Sequence, residues 1–173
     1  MEIAATYIVT VSKSMGKEDI DKQFLEMIKQ NEAIIFKVAS FYTDQEHPIG
    51  DLYQEIVINL WKNFSSFRGD SKCSTWIYRV ALNTCISFFR RTKNKPVYVD
   101  ISFDIPDVED HNDTIKRLYA LINKLEKIER ALVLLYLDDK PYKEIAEITG
   151  LSASNVATKL SRIKEKMKRM SNN

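Results

Sequence analysis

The chain has 173 residues, 45% of them apolar and 29% charged, with a formal net charge of +2. That balance excludes a disordered tail and fits one large soluble domain or two small ones. Four glycines and four prolines are too few for an all-β fold with many turns. Cys73 and Cys85 are the only cysteines, and His47 and His111 the only histidines. No spacing among them resembles a zinc site, so neither a metal nor a cofactor is expected, and the two separated thiols fit a reducing compartment.

The apolar stretch Ile3–Val11 (IAATYIVTV) is too short for a membrane span and lacks a basic leader, so a cytoplasmic protein is expected. Met15 opens MGKEDIDKQF, and residues 1–16 read as a disordered leader or an over-called start. From about Lys17 to Tyr42 one apolar face is traced by Ile20, Phe24, Met27, Ile28, Ile34, Ile35, Val38 and Tyr42, predicting a helix. TDQEHPIGD breaks it. Leu52, Ile56, Val57, Leu60, Trp61 and Phe64 mark the next helix, with Asp51 suited to its first turn. After the loop SSFRGDSK, Ser74 or Thr75 can cap a third helix that carries Ile77, Ala81, Thr84, Cys85 and Phe88 inward.

Around that loop, aromatic and basic residues crowd together. WKNFSSFRGDSKCSTWIYRVALNTCISFFRR holds Trp61, Phe64, Phe67, Trp76, Tyr78, Phe88 and Phe89. Between Lys62 and Lys95 eight Lys or Arg face one acid, Asp70. Trp61, Phe64 and Phe88 fall on apolar helical faces and are expected to pack, whereas Phe67 and Trp76 border a charged loop. Rings beside Arg68, Lys72 and hydroxyls suit single-stranded DNA, because stacking accepts any unpaired base and cations hold the backbone. The next stretch, KPVYVDISFDIPDVEDHND, has two prolines and no helical period. Its acids, six from Val99 to Thr114 with no base among them, make it an acidic linker.

Beyond the linker, Ile115, Leu118, Leu121, Ile122 and Leu125 predict one helix and Ile128 to Leu137 another. Tyr142 to Thr149 then gives a two-turn helix after Pro141. Ala146 is small, Gly150 can take the left-handed conformation that ends a helix, and Ser152 can cap the next one. Ile145, Leu151, Val156 and Leu160 point to a shared core. Ala, Gly four residues on, and an apolar residue directly after form the helix-turn-helix pattern. Ser154, Asn155, Thr158, Lys159 and Arg162 lie on the polar face and suit base edges, while Lys164, Lys166 and Lys168 suit phosphates. The expected architecture is all-α: two small helical domains, residues 17–95 and 113–173, joined by the acidic flexible linker 96–112, the second containing the helix-turn-helix.

DLYQEIVINLWKNFSSFRGDSKCSTWIYRVALNT resembles the second conserved region of extracytoplasmic-function (ECF) RNA polymerase sigma factors. LEKIERALVLLYLDDKPYKEIAEITGLSASNVATKLSRIKEKMKR resembles their fourth region. The two cover most of residues 18–169, in the family's order. The resemblance implies a protein that catalyses nothing itself: it binds core RNA polymerase and directs it to promoters. Asp51, Gln54, Glu55 and Trp61 would dock on the polymerase clamp helices. Phe67 to Asn83 would open and read the −10 element, through Phe67, Arg68, Lys72, Thr75, Trp76, Arg79 and Asn83, with Arg90 and Arg91 holding nearby backbone. Ser154, Asn155, Thr158, Lys159, Arg162 and Lys166 would form the −35 surface, and the acidic linker would follow the polymerase's RNA path. Many family members are held at the membrane by an anti-sigma factor, although no residue here identifies one.

Three positions depart from the family's habit. Ser87 stands where many members carry Asp, Cys73 where an aromatic is frequent, and Leu125-Glu126 replaces a common Leu-Pro. Cys73 reads as a small packed thiol, not a redox group. A stand-alone helix-turn-helix regulator is the alternative, but it would leave the aromatic loop and acidic linker without a task. A DNA-processing enzyme would need a His/Asp/Glu cluster or an activated nucleophile, and none is apparent.

Overall fold

The computed structural model describes residues 18–43, 47–92 and 113–172. Among these every regular element is helical: α1 (Glu18–Gln30), α2 (Glu32–Tyr42), α3 (Ile49–Phe64), α4 (Cys73–Thr92), α5 (Asp113–Asn123), α6 (Lys127–Leu137), α7 (Tyr142–Thr149) and α8 (Ala153–Ser171). The chain divides into two compact units, Met1–Arg91 and Thr92–Asn173. The leader expected over 1–16 and the linker expected over 96–112 lie outside the described residues.

In the N-terminal unit, the single helix expected from Lys17 to Tyr42 is two helices. Asn31 breaks it, at φ −120° and ψ 15°. Its side-chain Nδ2 donates to the Met27 carbonyl at 2.9 Å, and its own N–H bonds Ile28 O at 3.1 Å. A short amide that competes with the backbone for its carbonyls ends one helix, and α2 restarts with Asn31 O accepting from Ile34 and Ile35. Phe24, Met27, Ile35, Val38 and Tyr42 are buried, Ile28 and Ile34 on either side of the break are half-buried, and Ile20 in the first turn of α1 is 44% exposed.

Helix α3 buries Leu52, Ile56, Val57 and Leu60 and packs mainly on α2, with α1 against it too. Trp61 and Phe64 are half-buried and meet Phe24 edge-on, with ring centroids at 5.0 and 5.3 Å. Helix α4 starts two or three residues earlier than a Ser74 or Thr75 cap allows. It begins at Cys73, the Trp76 N–H bonds Lys72 O at 3.1 Å, and both hydroxyl residues lie inside the first turn. Its buried residues are Ile77, Tyr78, Ala81, Leu82, Thr84, Cys85 and Phe89. Of the two adjacent phenylalanines, Phe89 is in the core because it follows Cys85 by four residues, one turn on the same face. Phe88 is half-buried and contacts the edge of the buried His47 ring at 5.2 Å.

The C-terminal unit is built around α6, where Ala131 to Leu135 are buried without interruption. Ile122, Leu125, Ile145, Ile148, Val156, Leu160 and Ile163 are also buried, with α5, α7 and α8 all packing on α6. Glu126 shows how the chain does without the proline common at this position in the sigma factors it resembles. Its φ of −66° and ψ of 157° are values a proline would adopt. The N–H that proline lacks donates to Glu129 Oε2 at 3.0 Å. The buried Arg130 closes the same turn, donating from Nε to Leu125 O at 3.2 Å and from Nη2 to Asn123 O. A cation on the carbonyls at and just beyond the C-terminus of α5 is favourable both as hydrogen bonding and against the helix dipole.

Candidate polymerase and nucleic-acid interfaces

On α3, Asp51 and Gln54 are exposed and Glu55 is half-buried, on the face opposite Leu52, Ile56 and Leu60. Glu55 Oε1 accepts from Asn59 Nδ2 at 3.3 Å, one turn on. Trp61 sits at the flank of this face with its ring against Phe24. The expected docking set is therefore an acidic and amide surface bordered by one half-covered ring.

The loop from Ser65 to Lys72 is a tight turn with its own bonding. Ser66 and Phe67 donate their N–H groups to Asn63 O and Phe64 O, and Ser66 Oγ bonds Asn63 O at 2.7 Å. Gly69 turns the chain at φ +76°. The turn folds Phe67 back onto the first turn of α4, where its ring lies 4.9 Å from Trp76 at 34°. Both rings are half-buried, whereas Arg68 and Lys72 are exposed.

Along α4, Trp76, Arg79, Asn83 and Arg90 fall three, seven and fourteen residues apart. That spacing puts them in one row about 21 Å long, opposite Ile77, Ala81, Cys85 and Phe89. Asn83 and Arg90 are exposed, and Arg79 is half-buried. Thr75 is not part of the row, being only 2% exposed, so its neighbours form the surface there. Arg91 continues the helix backbone, and its side chain lies outside the described residues. Cys73 is half-buried, and burial pushes its thiol up from the ordinary value, away from the reactive thiolate.

In the second unit the helix-turn-helix is built as its sequence requires. Gly150 takes φ +73° and its N–H closes α7 on Ala146 O at 2.9 Å. Ser152 Oγ accepts from the Asn155 N–H at 3.2 Å, capping α8. Val156, Leu160 and Ile163 turn inward, which leaves Ser154, Asn155, Thr158 and Arg162 exposed and Lys159 half-buried. Thr158 Oγ1 donates back to Ser154 O at 2.9 Å, leaving its lone pairs for a donor from outside.

The basic residues of the last turns are differently placed. Lys166 Nζ lies 2.7 Å from Glu129 Oε2, and Lys164 Nζ lies 3.8 Å from the centroid of the Tyr136 ring. Lys168 and Arg169 are exposed. Burial raises the Glu129 carboxyl, but hydrogen bonds from Lys166 and the Glu126 N–H, with the charges of Lys166 and Lys159, outweigh it and hold the group below the usual carboxylate range. Glu129 was not legible as a partner in the sequence. Its only signal is its place three residues after the helix-capping Glu126.

Among the described residues no group of three or more His, Cys, Asp or Glu could hold a metal ion, and no helix is long and apolar enough to cross a membrane.

Two sequence families match in succession. Sigma-70 region 2 matches residues 27–95, and Sigma-70 region 4 matches residues 115–167. The ECF RNA polymerase sigma-E factor of Haemophilus influenzae is 26% identical over 179 residues, covering 87% of this chain and 95% of that protein. RNA polymerase sigma factor SigV of Bacillus subtilis is 26% identical over 151 residues, covering 86% and 91%. The fold is shared with the sigma factor RpoE of Bartonella quintana, solved with the anti-sigma factor NepR, at a TM-score of 0.69 and 17% identity over 90% of this chain and 98% of that one. It is shared also with CnrH, solved with the cytosolic domain of CnrY, at a TM-score of 0.63 and 16% identity over 98% and 96%. With a region 2 and a region 4 in the family's order, the second region carrying a capped helix-turn-helix, the chain belongs to the ECF-type RNA polymerase sigma factors.

Proposed function

We propose that this chain binds core RNA polymerase and selects promoters, with residues 17–95 docking on the enzyme and opening the −10 element and residues 113–173 reading the −35 element. The observation that carries the proposal is the row of Trp76, Arg79, Asn83 and Arg90 beside the Phe67 loop. A duplex reader alone has no use for half-exposed rings set among cations, whereas a protein that captures an unpaired strand needs both. Asp51, Gln54, Glu55 and Trp61 form the polymerase-docking face. Asn155, Thr158, Lys159 and Arg162 meet base edges from the start of α8. The protein acts in the cytoplasm without catalysing a reaction of its own, and the solved complexes of its fold relatives make an anti-sigma factor a natural partner.

Reconstitution with core polymerase, followed by mapping of transcript starts, tests the reading. Promoter-specific starts should appear only when both components are present. Tight, specific duplex binding by the isolated chain, with no change on adding core enzyme, would instead identify a stand-alone regulator. Strand capture is tested by Trp76→Ala, which should fail on duplex promoter and recover largely on a template pre-melted at the −10 region. Equal loss on both templates with a lowered melting temperature would show that Trp76 serves only to pack Phe67.

A further inference from the structure

Helical spacing extends the row of Asn155, Lys159 and Arg162 on α8 by one more turn, to Lys166. By sequence Lys166 is therefore the next cation along the groove. Its ammonium does not point along that row. It bonds Glu129 Oε2 at 2.7 Å, across 37 residues of sequence, with the lysine side chain 37% and the glutamate side chain 23% exposed. The same Glu129 oxygen accepts the Glu126 N–H that opens α6. A single carboxylate oxygen thus holds both the first turn of α6 and the second turn from the end of α8. At the far end of α6 a second cation of α8, Lys164, covers the Tyr136 ring. The two contacts reach opposite ends of α6 from a single turn of α8, so that turn is held against its supporting helix at two points.

We propose that Glu129 and Lys166 are positioning residues of the duplex reader: their ion pair sets the angle at which α8 presents Asn155 and Arg162, and Lys166 does not serve as a phosphate contact. The inference rests on the reading of α8 as the −35 surface. It differs from a phosphate role in what removing the acid does. If Lys166 served a phosphate, neutralising Glu129 would release the cation toward DNA and remove a nearby repulsive charge, so binding would strengthen. If the pair positions α8, neutralising Glu129 loosens the helix and binding weakens. The charge is altered in the same direction, and the signs are opposite.

The experiment uses holoenzyme reconstituted with the full chain and the strongest promoter from start-site mapping, with every single-base change in the −35 element. Glu129→Gln keeps an oxygen for the Glu126 N–H, so the head of α6 is preserved while the ion pair is lost. Glu129→Gln and Lys166→Met should each weaken binding about two- to fivefold, as expected for an ion pair of this exposure. Both should blur preference at the positions read by Asn155 and Arg162, although those side chains are intact. The double variant should be no worse than either single, because one interaction is removed once. Lys166→Arg should behave like the parent. The salt slope should stay unchanged in Lys166→Met, whereas loss of a phosphate contact lowers it by about 0.9. Tighter or unchanged binding in Glu129→Gln, with a reduced slope in Lys166→Met, overturns the proposal. Arg162→Ala is measured alongside. If it alters preference at one position while Glu129→Gln does nothing, only the positioning role fails; if neither variant changes any preference, the −35 reading of α8 fails with it.

Discussion

Replacing Gly150 by alanine isolates the conformational cost of the turn between α7 and α8. Gly150 sits at φ +73° and ψ 11°, and a Cβ built there meets nothing within 4 Å. No steric clash contributes, so the whole effect is the left-handed backbone. An L-residue pays about 1–2 kcal/mol in that region. Part of this is offset by the lower conformational freedom of alanine in the unfolded chain, about 0.4–1 kcal/mol. The net expectation is a loss of about 1 kcal/mol. For a cooperative unit of this size that corresponds to a fall in melting temperature of about 4–8 °C. Asparagine tolerates the left-handed region and should recover much of the loss, and valine, branched at Cβ, should lose more. Far-UV circular dichroism of the full chain gives the ranking directly. An alanine variant as stable as the parent, or an asparagine variant as poor as valine, would refute the account. So would a loss above about 3 kcal/mol, which demands a clash where the structure has open space.

Removing the buried guanidinium in Arg130→Met strands the carbonyls of Asn123 and Leu125 and should cost about 1.5–3 kcal/mol, measured by denaturant unfolding, while leaving the N-terminal unit's transition in place. Asn155→Ala and Arg162→Ala should each relax discrimination at one −35 position, by about 1–3 kcal/mol if the lost contact is bidentate, with thermal stability unchanged. Glu129 is held below the ordinary carboxylate value, so it contributes stability fully above that ordinary, unfolded value and loses it as pH falls through the lower folded value. Acid unfolding of Glu129→Gln should be flatter than that of the parent across that range; identical acid limbs would mean the ion pair contributes nothing.

The helices were legible because their apolar periods are strong, and the helix-turn-helix because its turn chemistry is local. Gly150, Ser152 and Ala146 act within a few residues of themselves, so their roles can be read without a fold. The break at Asn31 was hidden for the opposite reason. Apolar residues continue on both sides of it, and the period says nothing about an amide that captures the Met27 carbonyl. Helix α4 began earlier than its hydroxyl residues suggested because capping preference is weaker than the packing that buries Thr75. The substitution of Glu126 for proline could be noticed in the sequence but not explained there. Its φ and its bond to Glu129 had to be seen. The ion pair of Lys166 with Glu129 was hidden in a more basic way. Whether a lysine on a basic helix reaches outward depends on what lies 37 residues away, and no helical period contains that.

Burial decides which of the proposed site residues can be probed cleanly. Helix α4 separates its core from the proposed DNA-facing row by face: Ile77, Tyr78, Ala81, Leu82, Cys85 and Phe89 are in the core, and Asn83 and Arg90 are exposed on the other side. Substitutions at Asn83 and Arg90 should therefore leave stability within about 0.5 kcal/mol, so any loss of promoter opening belongs to DNA contact. Trp76 and Phe67 allow no such separation. Each ring is half-buried on the other at 4.9 Å, and truncating either one both uncovers its partner and removes a stacking surface. An aromatic pair of this kind is worth about 0.5–1.5 kcal/mol beyond the area it covers. A loss of function at Trp76 therefore has to be read beside its melting temperature and on the pre-melted template, whereas a loss at Asn83 can be read alone. The clean test of strand capture is thus the exposed amide and guanidinium of the row, and the ring pair tests how the loop that accompanies them is held.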